Sequence, residues 1–150
     1  RNHMDRTDYQ ILNILQRDCR ATLKSIGDQV GLTAPAVSER TRRLEEQGVI
    51  RAYRVDVDRE QLNCNISGFI WVAPEPEKYN DFCDFCLKQP AITAHYHTIG
   101  VFNALLHFAV QGTQELENLL SAIKQFGNSQ TSVALKTYFD YKDIPVPPQK

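Results

Sequence analysis

Between Gly31 and Thr33 there is room for a single residue, Leu32, and that spacing limits the possible folds more than any other feature of the chain. Upstream, Thr22 can cap a helix in which Leu23, Ile26 and Val30 share one face before Gly31 stops it. Downstream, Thr33 is again a good N-cap, and Pro35 suits a first helical turn, where its missing N–H would be unpaired in any case. Two helices joined this tightly must cross sharply and share a small core. Residues 5–17 supply the third wall: Asp5-Arg6-Thr7-Asp8 reads like a capping box, and Ile11, Leu12 and Leu15 fall on one side. The third helix runs to Gln47, with Gly48 as its stop. Three short helices with a glycine turn between the last two form the helix-turn-helix pattern, whose third helix reads double-stranded DNA.

At about 100° per residue, the third helix separates into two faces. Val37, Thr41 and Leu44 converge on the side that must meet the other helices. Pro35, Ser38, Glu39, Arg42 and, at the margin, Arg43 lie opposite, free to enter a groove, while Thr33 sits at the leading end. Arg40 flanks the apolar stripe, where its stem can be buried while its head reaches a phosphate. The expected DNA contacts are therefore Thr33, Pro35, Ser38, Glu39, Arg40, Arg42 and Arg43, with Ser38 and Arg42 near base edges and Arg40 and Arg43 on phosphates. An amphipathic surface helix with arginines is common, and it is the position after the tight turn that gives this one its reading.

The net charge of −1 does not favour nucleic acid, but its distribution does. All ten arginines lie in the first 59 residues, and only lysines carry positive charge beyond them. Arginine is the planar donor that suits phosphates and guanine edges. A 42% hydrophobic, 23% charged composition belongs to a folding, globular chain. Without a long apolar run or a signal-peptide core, the expectation is a cytoplasmic protein with no membrane partner. Arg1-Asn2-His3 ahead of Met4 reads as a cloning remnant and is left out of the reading.

Residues 49–57 alternate, with Tyr53, Val55 and Val57 on one face and Arg54 and Asp56 on the other, which predicts a strand leaving a winged helical domain of residues 4–57. Residues 58–65 are polar and serve as the linker. The second domain, 66–150, reads as strand, helix, strand, strand, helix, strand, with strands at 66–73, 91–98, 103–110 and 131–140 and helices at 77–88 and 113–126. A βαββαβ order suggests the ferredoxin-like sandwich, in an α+β protein overall. Its first and third strands, central in that topology, are apolar on both faces: Ile66, Ile70 and Val72 against Phe69 and Trp71, and Leu106, Phe108 and Val110 against Leu105 and Ala109. Two helices cover one face of a four-stranded sheet, so the other requires a partner, most simply a second copy. A homodimer follows.

Other chemistry fits less well. Cys83 and Cys86 form a C-x-x-C, but both fall on the apolar stripe of a helix, which favours core packing over a redox pair or half a zinc site. His95 and His97 share a face, and a tight turn at Gly100-Val101 would pair His95 with Leu106 and His97 with Ala104, sending His107 to the other face and breaking up a metal trio. No phosphate loop, nucleophile elbow or H-E-x-x-H is present, so neither an enzyme, a metal site nor a cofactor is expected. An architectural DNA-binding protein without an effector is the alternative, and it would bind all sequences alike.

The chain resembles the Lrp/AsnC, or feast/famine, regulators. The resemblance rests on Asp5-x-x-Asp8-x-x-Ile11-Leu12-x-x-Leu15-Gln16-x-Asp18-x-Arg20 and on Val30-Gly31-Leu32-Thr33-x-x-Ala36-Val37-x-x-Arg40-x-x-Arg43-Leu44-Glu45-x-x-Gly48-Val49-Ile50-x-x-Tyr53. In the second domain, of the RAM type, it rests more loosely on the strand order, on Gly100 and on Thr131 and Thr137. It implies a transcription regulator that forms dimers and often octamers or open helices, and in many members responds to a free amino acid. In such proteins a G-x-x-D turn between the second and third strands helps hold the amino acid, which nominates Thr98, Gly100, Val101, Phe102 and Asn103 here. Asn103 stands where the family has an acid, so weak or altered amino-acid binding is expected, with Val101 and Phe102 biasing the pocket toward apolar ligands.

Overall fold

The computed structural model describes residues 4–145. Residues 1–3, expected to be a cloning remnant, and residues 146–150, the end of the expected second domain, lie outside the described residues. The chain divides into two compact units, Arg1–Asp56 with Phe139–Lys150, and Val57–Tyr138.

In the first unit, helices α1 (Arg6–Arg17), α2 (Leu23–Val30) and α3 (Ala34–Glu46) form where the caps place them. Asp5 and Asp8 make a reciprocal capping box, and the Thr22 and Thr33 side chains accept from the Ser25 and Ala36 amides. Each cap satisfies an N–H that the first turn would otherwise leave unpaired. Gly31 ends α2 in the left-handed region at φ 73°, where a side chain would be strained. Ile11, Ile26 and Val37, all but inaccessible, meet at the centre, with Ile14, Leu15, Ala21, Val30 and Leu32 around them.

The expected strand over 49–57 does not form among the described residues: 51–58 lie exposed without helix or strand pairing. Alternating Tyr53, Val55 and Val57 still mark a strand, but a strand needs a neighbour to bond, and this segment meets none within its own chain. Among the described residues no wing strand accompanies the three helices. The linker region instead contains a short 3-10 turn, Glu60–Leu62.

The second unit is a four-stranded antiparallel sheet in the order β2-β3-β1-β4, with β1 at Ile66–Pro74, β2 at Ile92–His97, β3 at Ala104–Val110 and β4 at Gly127–Val133. Helices α4 (Tyr79–Lys88) and α5 (Thr113–Ile123) complete the ferredoxin-like βαββαβ order. As expected, β1 and β3 are central. Ile70, Val72, Leu106 and Phe108 point to the helices and pack with Phe82, Cys86, Leu119, Ile123 and Phe126. Phe69, Trp71, Leu105 and Ala109 point the other way, and Phe69 remains 42% exposed.

Strand β4 differs from the expected 131–140. Its register against β1 runs from Pro74↔Gly127 to Gly68↔Val133, and after one further bond, from the Ala134 amide to the Ser67 carbonyl at 2.8 Å, the pairing stops. The strand-like Leu135, Tyr138 and Phe139 follow as exposed chain. Residues 139–145, grouped by sequence with the sheet, belong with the first unit: the Ile144 amide donates to Gln16 Oε1 at 2.8 Å, Gln16 Nε2 donates to the Ile144 carbonyl at 3.2 Å, and Arg17 faces Asp143 at 3.5 Å.

Candidate nucleic-acid interface

The turn that presents α3 depends on a close backbone approach. The Leu32 amide donates to the Gly27 carbonyl at 3.0 Å, and a Cβ on Gly27 would lie 2.3 Å from the Leu32 oxygen. No side chain fits there. Gly27, inside α2, escaped the sequence reading because a helical glycine carries no local signal of what packs against it.

Beyond that turn, α3 buries Val37 and Leu44 and leaves Thr33, Pro35, Ser38, Glu39 and Arg42 exposed, which is the arc expected from the helical angle. Its three arginines split into two groups. Arg40 and Arg43 turn back toward the start of α1: Arg40 Nη1 donates to Asp5 Oδ2 at 2.8 Å and to Asp8 Oδ1 at 2.9 Å, and Arg43 Nη2 donates to Asp8 Oδ2 at 2.7 Å. Asp8 is completely buried. A buried carboxylate needs such partners, and this one uses them to tie α3 to α1. The backbone N–H of Asp8, then Arg40, hold the Asp5 carboxyl below its usual range. Placed on phosphates by the sequence reading, Arg40 and Arg43 thus already have an internal task. The signal was present in the matched spacing of Asp5-x-x-Asp8 and Arg40-x-x-Arg43, which pair with each other.

Arg42 belongs to the outer face. Its Nε and Nη2 donate to the two oxygens of Glu39 at 3.1 and 2.6 Å, and Nη1 donates to the Glu46 carboxylate. Hydrogen bonding to Arg42 holds the Glu39 carboxyl below its usual range. At the far end of α3, Tyr53 Oη donates to Glu45 Oε1 at 2.7 Å, and partial burial followed by that carboxylate pushes the phenol up to about 12.

In the second unit, the candidate effector residues form the turn between β2 and β3. The Thr98 amide donates to the Asn103 carbonyl and its hydroxyl to the Phe102 carbonyl, both at 2.9 Å. Gly100 has φ 143°, and a Cβ built there would meet nothing nearer than the Phe102 oxygen at 3.9 Å. Val101 is exposed, whereas Phe102 and Asn103 are half-buried. The pairing of His95 with Leu106 and His97 with Ala104 is the expected one. Accordingly His95 meets Phe82 and His97 meets Tyr79 on the helix side, while His107 lies against Phe69 on the opposite face. Cys86 is core, and burial pushes its thiol up to about 12.

A DNA-reading three-helix unit followed by a ferredoxin-like sheet unit defines a two-domain transcriptional regulator. Residues 4–45 match the AsnC-type helix-turn-helix domain and residues 67–144 the Lrp/AsnC ligand binding domain. Similar proteins include the helix-turn-helix-type transcriptional regulators YezC of Bacillus subtilis, 31% identical over 89% of this chain and 95% of that protein, and FL11 of Pyrococcus horikoshii, 30% identical over 95% and 97%. The leucine response regulatory protein LrpA of Mycobacterium tuberculosis has a similar structure, with TM-score 0.82 and 26% identity over 97% of this chain and all of that one. The Neisseria meningitidis regulator NMB0573, solved with L-Met, shares the fold at TM-score 0.89 and 23% identity over 95% and 97%. The chain belongs to the Lrp/AsnC family of helix-turn-helix transcriptional regulators.

Proposed function

We propose that this regulator binds its operator through the exposed arc of α3, with Ser38 and Arg42 at base edges in the major groove and Thr33, Pro35 and Glu39 lining the approach. The arrangement that carries this reading is an α3 that buries Val37 and Leu44 while leaving that whole arc open. It acts by binding rather than by catalysis, on DNA in the cytoplasm. Replacing Arg42 with Ala should cost about 1–3 kcal/mol on a selected duplex and relax its sequence preference. Unchanged affinity would remove Arg42 from the base contacts. A regulator should also prefer its operator by roughly 10³-fold or more, and uniform affinity would favour the architectural alternative.

The protein works as a homodimer or larger homo-oligomer, octamers included, closed over the uncovered sheet face. Its effector is a free amino acid at Thr98, Gly100, Val101, Phe102 and Asn103. Open backbone at Gly100 can approach a carboxylate, whereas Asn103 offers an ammonium a neutral acceptor without counter-charge, so binding is weak and favours apolar side chains. Any of the twenty amino acids present at about 100 times its Kd should stabilise the fold by about 2.7 kcal/mol in a thermal-shift screen, with a larger response in Asn103→Asp. Tight binding that survives Gly100→Leu would place the site elsewhere.

A further inference from the structure

We propose that Glu39 and Glu46 determine specificity by holding Arg42 as a DNA-like partner in the free protein, an inference that rests on Arg42 reading bases. Helix α3 carries Arg40, Arg42 and Arg43 against Glu39, Glu45 and Glu46, so its own charges balance. Two of those arginines are turned toward Asp5 and Asp8, which leaves Arg42 as the cation of the exposed arc. Glu39 occupies one edge of its guanidinium with two hydrogen bonds and Glu46 takes the remaining nitrogen. All three side chains are more than half exposed, so water can replace either carboxylate and the arrangement is open to exchange.

What can displace those carboxylates differs between a correct and an incorrect DNA site. Guanine O6 and N7 accept from arginine as a pair, in the same fork geometry as a carboxylate, so docking on guanine trades one two-pronged partner for another. Wrong sequence offers Arg42 only phosphate oxygens that do not match its fork, so it stays with Glu39 and Glu46, adds little to binding, and both carboxylates still face a polyanion. Like charges brought together this way are strongly unfavourable. The two glutamates therefore oppose DNA binding in general, and the opposition is offset only where Arg42 finds its base. Glu39 is one of the DNA contacts expected from the helical angle. Its role here is to discriminate by repulsion and by competition for Arg42, an element that specific interfaces commonly include.

The test compares the full-length protein with E39Q, E46Q, the double variant, R42A and E117Q, the last removing one negative charge from exposed α5. Two probes are used across a salt series: a random-sequence duplex, and the tightest duplex that the unmodified protein selects from a randomised pool. The double variant should gain about tenfold more on the random duplex than on the selected one, with a salt dependence on the random duplex steeper by about one unit. E117Q should change neither. An equal gain in E117Q, an unchanged ratio between the two probes in the double variant, or a loss of selected-duplex affinity in E39Q would each overturn the proposal. Retained selected-duplex affinity in R42A would instead overturn the base-reading role on which it rests.

Discussion

The two units hold themselves together by different means. Among the described residues, the sheet unit encloses a continuous apolar core from Ile70 to Phe126, built from both sheet and helices. The helical unit centres on only Ile11, Ile26 and Val37, and it adds a buried carboxylate, Asp8, gripped by two arginines of α3. Apolar burial is non-directional and grows with area, whereas a charge cluster is directional. A unit that must aim one helix at a groove therefore gains from the second kind of contact. The same comparison reveals what the sheet unit lacks: on its other face the apolar Phe69, Trp71, Leu105 and Ala109 of the central strands are left without a covering layer.

The largest effect should come from placing one charge on each face of β1. Ile70 is inaccessible, so Ile70→Asp buries an unpaired carboxylate at a cost of several kcal/mol and should abolish the cooperative unfolding of the sheet. Trp71→Asp should leave the far-ultraviolet circular dichroism intact and reduce the sedimentation coefficient to that of a monomer. Two unfolded variants would mean that both faces are core, and an unmodified protein already monomeric at micromolar concentration would remove the partner altogether.

A smaller loss should follow Asp8→Ala, which strips Arg40 and Arg43 of their shared acceptor. Breaking a fully buried pair costs about 3–5 kcal/mol, but these arginine side chains are 27% and 43% exposed and can turn to water, so about 2 kcal/mol is expected. Amide hydrogen exchange should quicken across α1 and α3 and stay unchanged across β3. Equal loss of protection in both units would show that they do not hold themselves together separately.

The smallest effect is a separation in pH. Burial against Phe82, with His97 nearby, lowers the His95 pKa from its ordinary 6.5, so the folded sheet favours the neutral ring. That contribution is fully present above 6.5 and is lost as pH falls from there through the lowered folded value. Asp5 is also lowered, from 3.8, so its contribution persists above 3.8 and is lost only below it. Acidification should therefore weaken exchange protection in the sheet unit before the helical unit, and His95→Gln should flatten the first phase. Simultaneous loss would mean that neither group governs its unit.

Reading the chain without its structure succeeded where the causes are local. Asp5, Thr22, Thr33, Gly31 and Pro35 cap, start and stop helices through atoms a few residues away, so α1, α2 and α3 and the exposed arc of α3 were legible. Alternation in β1 and β3 likewise showed two apolar faces, and the hairpin pairing of His95 and His97 followed from a short turn. What sequence could not show depends on partners far along the chain. Alternation over 49–57 and beyond Val133 expresses a preference for strand, yet a strand exists only where a neighbour supplies hydrogen bonds, and the pairing of β4 with β1 stops at Val133. Which face of β1 the helices cover, with Ile70 inside and Trp71 outside, also required the packed sheet. Asp8 meeting Arg40 and Arg43, Gln16 meeting Ile144, and the Leu32 oxygen closing over Gly27 are contacts of the folded chain. Periodicity determined which side chains were available for burial or pairing, and tertiary structure decided their partners, because hydrogen bonds and ion pairs depend on distances that no local pattern encodes.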